Sequence, residues 1–300
     1  MKALLRWGVS LGLLAGALSL LDWRSLVAAA ASLSVWAFVA AVALACAQFL
    51  PLLARWRALA GVQSGWYACA ARYFHANLFN AVSPGNLGGD VYRFFAFRTP
   101  AQGKLALVLV LVRERILGLS SMLIGLLTGL LAMQWAGFQP GRSVWRAFEL
   151  GSVVALSALL AAPLAAERLL RDPWRSRVRE AFDSGRVRPN AVLMGWSLLA
   201  LAFWYGTVQF IAARLGADVP WCVLLAIVTC AELIRIVPLT VQGLGLREGA
   251  YAALFAVSGF APETGFVVGA AAYLALSAAL VLTGALGAAM LALEDGWRRV

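Results

Sequence analysis

One short charged motif occurs twice in this sequence, and each copy interrupts an apolar stretch. Proline, glycine and arginine recur at identical spacing, first as Pro84, Gly89 and Arg93 and again as Pro238, Gly243 and Arg247. An acidic residue stands close to each arginine, Asp90 in the first copy and Glu248 in the second. An arginine fork donates two parallel hydrogen bonds to phosphate or carboxylate. The repetition predicts two related sites, each able to bind an anion.

The same motifs are rich in glycine, which allows backbone conformations closed to other residues. The glycines predicted to form the backbone of two hairpins are Gly85, Gly88, Gly89, Gly243 and Gly245, together with Pro84 and Pro238. Their N–H groups, at the start of a helix, either form an anion-binding nest or belong to tight turns, and the two roles are compatible. The spacing GxGxxG is absent from both copies, so neither is a dinucleotide fingerprint.

Further charged and polar residues lie near these motifs in the sequence. Asn80 precedes the first copy, Glu232 and Arg235 precede the second, and Arg113-Glu114-Arg115 stands at one end of a long apolar run. The triplet is either an interfacial anchor or part of a site. The acid–arginine pairs likewise either brace the hairpins or release an arginine to contact a ligand. Charges within a membrane fold are costly and call for one of these explanations.

The composition places the chain in a membrane. It is 62% hydrophobic with a mean hydropathy of +0.83, and a span needs about 20 apolar residues. The clearest apolar windows are Leu26–Ala54, Ile116–Gly141, Ala191–Ala213 and Thr264–Leu293. The first 21 residues resemble a signal peptide, but the pairing of repeats favours an uncleaved first span. The fold class expected is an all-α polytopic membrane protein in a single domain, residues 1–300.

Each half of the chain, residues 1–140 and 141–300, contains four apolar segments, and the third of each runs into the repeated motif. Broken segments of this kind suit re-entrant hairpins whose polar groups face protein or a wet cavity. Six full crossings and two such hairpins keep the basic loop 167–190 on the cytoplasmic side, in agreement with the positive-inside rule. Three crossings per half then predict two inverted repeats, with both termini in the cytoplasm and the hairpins meeting near the midplane.

Several other classes of function are disfavoured. The net charge is +11, and the basic residues flank apolar spans. This position indicates that they orient the chain in the membrane and contact anionic lipid headgroups, rather than bind nucleic acid. The four cysteines are scattered through apolar segments and His75 is the single histidine, so no metal site and no cofactor are expected.

In this combination the motifs resemble the lysylphosphatidylglycerol synthase transmembrane family, a flippase-like domain also found fused to lipid-aminoacylating enzymes. The resemblance covers nearly the whole chain and rests on Asn80-x3-Pro84-Gly85-x2-Gly88-Gly89-Asp90-x2-Arg93, Glu114-Arg115-x2-Gly118 and Pro238-x4-Gly243-x-Gly245-x-Arg247-Glu248. It implies a multi-pass bacterial inner-membrane domain that moves a lipid between leaflets. Directly before Gly243 the sequence has Val241-Gln242, whereas the resemblance leads us to expect small residues such as glycine or serine there.

The leading hypothesis is therefore a translocator of an anionic or phosphate-bearing lipid, with no catalytic residues. Arg93 and Arg247 are expected to bind the headgroup from opposite sides, while Asp90 and Glu248 hold the arginines in its absence. Two alternatives are an accessory or scaffold subunit with a protein partner in an envelope pathway, and a membrane-embedded lipid-modifying enzyme with Asp90 or Glu248 as base. The candidate lipid-binding residues are Arg93, Arg247, Asp90, Glu248, Glu114, Arg115 and Asn80.

Overall fold

The computed structural model describes residues 2–62, 65–83, 87–98, 104–169, 190–235, 240 and 243–297; most of these residues are helical and none lies in a strand. The helices are α1 Lys2–Ser19, α2 Trp23–Ala31, α3 Val35–Ala47, α4 Phe49–Leu59, α5 Trp66–Val82, α6 Leu87–Ala96, α7 Lys104–Trp135, α8 Arg142–Leu169, α9 Asn190–Arg214, α10 Trp221–Arg235, α11 Leu246–Val257 and α12 Pro262–Trp297. The expectation of an all-α membrane protein is confirmed.

Polar residues fix where helices begin within the apolar sequence. Asp22 caps α2 by accepting a hydrogen bond from the N–H of Ser25 at 2.9 Å, and Ser34 caps α3 in the same way through Ala37 at 3.2 Å. A side chain that accepts from these first N–H groups satisfies donors that no earlier turn can use. The apolar window predicted from Leu26 to Ala54 is accordingly divided between α2, α3 and α4.

Four continuous stretches are long and apolar enough to cross a bilayer, namely Val35–Leu59, Lys104–Trp135, Asn190–Arg214 and Pro262–Glu294. They contain most of the four predicted windows, which confirms a multi-pass membrane protein. A fifth candidate joins Leu11–Ser19 to Trp23–Ala31 across a bend of 106°. The described residues therefore supply four or five candidate spans, fewer than the six expected.

Both predicted hairpins coincide with pairs of helices that pack against each other. The first pair is α5 and α6, and the second is α10 and α11. The predicted tip residues Pro84, Gly85 and Pro238 lie outside the described residues, as does most of the basic loop 167–190. Gly243 and Gly245 are described and have φ angles of 84° and 80°. These angles belong to the left-handed region that favours glycine, which explains the choice of residue before α11.

Each hairpin packs against the long helix of the other half of the chain. Helix α5 lies along α12, whereas α10 lies along α7. Glycines permit both approaches: a Cβ at Gly287 would collide with the backbone nitrogen of His75, and one at Gly129 would be 2.8 Å from the carbonyl oxygen of Cys222. Small residues let helix backbones come together in a membrane, where lipid provides little driving force for association. The two halves are thereby interlocked.

We expect Gly287→Ala to destabilise the fold because the new methyl group collides with the backbone of α5. Overpacking of this kind costs about 1–3 kcal/mol. The melting temperature of the purified protein in detergent measures the effect. Gly195→Ala is the matched control, since a Cβ at Gly195 meets nothing within 4 Å. Equal melting temperatures for the two variants would contradict the close packing of α12 on α5.

Candidate functional site

A cavity of about 260 Å³ lies between the two halves of the chain. Its walls come from α4, α5, α6 and α7 of the first half and from α9, α10 and α12 of the second. Four arginines and three carboxylates line it, so the lining carries one net positive charge: Arg55, Arg93, Arg115, Arg235, Asp90, Glu114 and Glu232. Much of the remaining wall is apolar, including Phe49, Leu52, Leu119, Leu276 and Leu280.

Glu114 on α7 is shared by two arginines. Its Oε1 accepts from Arg55 Nη2 at 3.2 Å, and its Oε2 accepts from Arg93 Nη1 at 2.7 Å. Arg55 also donates to the hydroxyl of Ser197 on α9, at 2.9 Å. Both carboxylate oxygens of Glu114 are thus engaged in a site where the charged side chains are less than a tenth exposed. The contact ties α4, α6 and α7 together through one negative charge.

Asp90 on α6 extends this network toward solvent. It accepts from Arg93 of its own helix and from Arg115 of α7, whose Nη2 lies 2.6 Å from Asp90 Oδ2. The guanidinium of Arg93 also lies over the ring of Trp56, 4.5 Å from its centroid, which adds a cation–π contact. The Arg115 side chain is 41% exposed, compared with 9% for Arg93. Arg115 is therefore the outermost cation of this cluster.

A second cluster lies on the hairpin of the other half, and there too one glutamate lies between two arginines. Glu232 on α10 lies between Arg235 of its own helix, at 2.7 Å, and Arg247 of α11, at 3.3 Å. The Arg247 side chain has no exposed surface, and none of its guanidinium nitrogens has a hydrogen-bond partner among the described residues. The rings of Trp204 and Tyr273 lie 5.9 and 5.7 Å from it. Arg247 is held by charge and packing rather than by hydrogen bonds.

The first N–H groups of both hairpin helices are taken by the protein's own side chains. Asn80 Oδ1 accepts from Gly89 N–H and Ser83 Oγ accepts from Gly88 N–H, each at 2.8 Å. At the start of α11, Glu248 Oε2 accepts from Gly245 N–H at 2.6 Å. These are N-terminal caps. In this conformation, side chains of the protein occupy the three backbone donors that would otherwise face an anion.

The structure brings together most of the residues predicted to form the site. Five of them line the cavity: Asn80, Asp90, Arg93, Glu114 and Arg115. Arg247 and Glu248 do not line it, and Glu248 caps Gly245 instead of pairing with Arg247. The triplet at 113–115 divides because successive helical residues point about 100° apart. Glu114 and Arg115 face the first hairpin, while Arg113 donates to Asn190 Oδ1 on α9.

Sequence reasoning missed the contribution of α4 and α9. Arg55 lies in α4 and is buried against Glu114. Ser197 and Trp204 complete the same wall from α9. The signal available in the sequence was an excess of arginine over acid near the motifs, where Arg93, Arg113 and Arg115 accompany only Asp90 and Glu114. Short polar residues such as Ser197 carry no comparable signal because single serines are common in membrane helices.

We expect Glu114→Gln to be strongly destabilising, because it leaves Arg55 and Arg93 with one fewer negative charge in a buried site. Breaking a buried ion pair by removing one partner costs about 3–5 kcal/mol. Thermal unfolding in detergent measures the loss. Glu263→Gln is the matched control, since Glu263 is partly exposed and accepts only a long hydrogen bond from Asp22 N–H at 3.4 Å. A similar melting temperature for both variants would show that Glu114 does not hold the network.

Comparison with known proteins gives one family. The family model described as lysylphosphatidylglycerol synthase TM region matches residues 4–287. The match includes both hairpins and every residue that lines the cavity. No curated protein and no solved structure matches the chain.

Proposed function

The chain belongs to the lysylphosphatidylglycerol synthase TM-region family, and we propose that it moves a lipid with an anionic, phosphate-bearing headgroup between the two leaflets of a membrane. Membership supports a lipid-related role in a membrane. The cavity between the two hairpins is the proposed headgroup site, and no covalent step is proposed there.

The observation that carries this proposal is the combination of charge and apolar surface in one cavity. Arginines from both halves of the chain reach it, and leucine and aromatic side chains form much of the rest. A phospholipid has the same two parts, a charged headgroup and an apolar glycerol–acyl region. Arginine is well suited to the first part because its planar fork matches the oxygens of a phosphate. The excess of one positive charge favours an anion over a cation.

Arg115 and Arg235 are the proposed first contacts for the headgroup. A phosphate that approaches them competes with Asp90 and Glu232 for their N–H groups. Neither carboxylate is then left alone, since Asp90 keeps Arg93 and Glu232 keeps Arg247. The exchange of one anion for another avoids an isolated buried charge, which would be costly. Arg93 lies deeper and stabilises the headgroup from behind Asp90.

Arg247 is proposed to act in a second, oppositely open conformation. Its unused donors and its position in the hairpin of the other half make it the counterpart of Arg93. Separation of α11 from α10 would weaken its contact with Glu232 and expose it to a headgroup. The two motif arginines would then serve alternate sides of the membrane, as expected for transport by inverted repeats.

The proposed topology has two inverted repeats, six crossings and both termini in the cytoplasm. The packing between the two halves supports this topology. Helix α5 of the first half packs on α12 of the second, and α10 of the second half packs on α7 of the first. Such reciprocal contacts are those expected of two copies related by a pseudo-twofold axis. The arginine-rich segment 167–190 supports the orientation, since positive loops remain in the cytoplasm. A bacterial inner membrane is the proposed location.

We expect Arg115→Gln/Arg235→Gln to slow lipid transfer while the protein remains folded. Loss of hydrogen bonds to a charged group costs about 1.5–3 kcal/mol each, which corresponds to a rate at least about tenfold lower. The assay reconstitutes protein in vesicles and follows leaflet-to-leaflet transfer of labelled phosphatidylglycerol and phosphatidylcholine. Wild type should transfer phosphatidylglycerol faster.

The matched control is Arg24→Gln, which removes an exposed arginine outside the cavity. Its transfer rate should equal that of wild type. Equal rates for the double variant and the control would disprove the proposed headgroup site. No transfer by folded wild type would favour an accessory subunit, and recovery of a chemically altered lipid would favour an enzyme.

A further inference from the structure

We propose that the protein has a second anion site, at the opposite end of α7, that binds a phosphate group at the level of the other leaflet. The site is a cavity of about 340 Å³ formed by the end of α7, the connector 136–141 and the first two turns of α8. It shares no lining residue with the cavity between the hairpins. This inference deepens the proposed function and rests on it for the lipid origin of the ligand.

Two arginines give this cavity its charge. Arg142 and Arg146 are four residues apart on α8, so they lie on the same face of the helix and both line the cavity. Neither forms an ion pair within the described part of the chain, and the Arg142 guanidinium donates to the side chain of Gln139 at 3.2 Å. Positive charge is further concentrated here because Arg142 is the first residue of α8, where the helix dipole is positive.

The acidic group in the same cavity pairs with neither arginine. Glu149 accepts a hydrogen bond from Gln134 Nε2 of α7 at 2.7 Å and forms no ion pair with a described residue. The lining therefore carries one net positive charge, as in the first cavity. The floor is apolar and includes Leu130, Met133 and Trp145, each less than 5% exposed. A phosphate with an attached apolar group matches this lining better than inorganic phosphate does.

The separation of the two cavities fits a bilayer. Arg115 lines the first cavity and Gln134 lines the second, and both belong to the continuous helix α7. Nineteen residues at about 1.5 Å each place them about 28 Å apart along the helix axis. The hydrocarbon core of a bilayer is about 30 Å thick. A headgroup at Arg115 and one at Arg142 and Arg146 would therefore belong to different leaflets.

The second cavity is also joined to the hairpin that holds Arg247. The connector that forms its wall packs on the C-terminal end of α11: Gly141 contacts Val257, and Phe138 stacks on Phe260 with the ring centroids 6.4 Å apart. Arg247 lies at the other end of α11. Movement of α11 would therefore change the positions of residues both at Arg247 and at the second cavity. The second site is placed to receive or supply the headgroup when the second hairpin opens.

The test is equilibrium binding of dihexanoyl phosphatidylglycerol to the full-length protein in phosphatidylcholine nanodiscs, which leave both faces accessible. Wild type should show two classes of site. We expect Arg142→Gln/Arg146→Gln to weaken one class about tenfold or more and to leave the other unchanged. Arg115→Gln/Arg235→Gln should show the reverse. Arg214→Gln is the control, because Arg214 is an exposed arginine at the end of α9 that lines neither cavity.

The outcomes separate this inference from the proposed function. If Arg142→Gln/Arg146→Gln binds as Arg214→Gln does, the second site does not exist, whatever happens at the first. If it loses one class while Arg115→Gln/Arg235→Gln loses none, the second site stands and the proposed headgroup site fails. A parallel titration with inorganic phosphate identifies the source of the ligand. Binding of phosphate as tight as that of the lipid would overturn the assignment to a lipid headgroup. Unchanged melting temperatures confirm that the variants are folded.

Discussion

The need to neutralise buried arginines governs this structure. A guanidinium does not lose its charge at any relevant pH, so each one within the fold requires a negative partner or water. Three carboxylates meet this requirement by sharing: Glu114 pairs with Arg55 and Arg93, Asp90 with Arg93 and Arg115, and Glu232 with Arg235 and Arg247. Because the partners come from different helices, the charges decide how α4, α6 and α7 meet on one side and how α10 and α11 meet on the other.

Sharing also leaves the network ready to accept an anion. With two arginines for each glutamate, one arginine can turn to a ligand while the other keeps the carboxylate neutralised. The outermost members are Arg115 and Arg235, and the carboxylate partner of each retains a second arginine. The same arrangement thus accounts both for stability without cargo and for the proposed affinity for a phosphate. A network with matched charges would gain less from a bound anion.

The packing of helices places these charges between the two halves. Glycines at 129 and 287 allow α7 and α12 to approach the hairpin of the opposite half closely. Interlocked halves cannot separate freely, so motion is expected within the hairpins, where the backbone is broken. Helix α11 begins after two glycines with positive φ and ends against the connector between α7 and α8, so the proposed movement of this helix would reach both.

The sequence by itself determined the class of protein, the four clearest spans and the positions of the repeated motif, because hydropathy and charge are local properties of the chain. It also identified Asp90, Arg93, Glu114 and Arg115, which are charged residues in places where charge is costly. Only the tertiary structure decided the partners. In the folded protein Arg55 pairs with Glu114, and Arg113 donates to Asn190 instead of joining that cluster. Arg247 is buried against Glu232, and Glu248 accepts a hydrogen bond from the N–H of Gly245. These outcomes depend on the rotation of each helix and on contacts between residues far apart in sequence, which no spacing along one chain specifies.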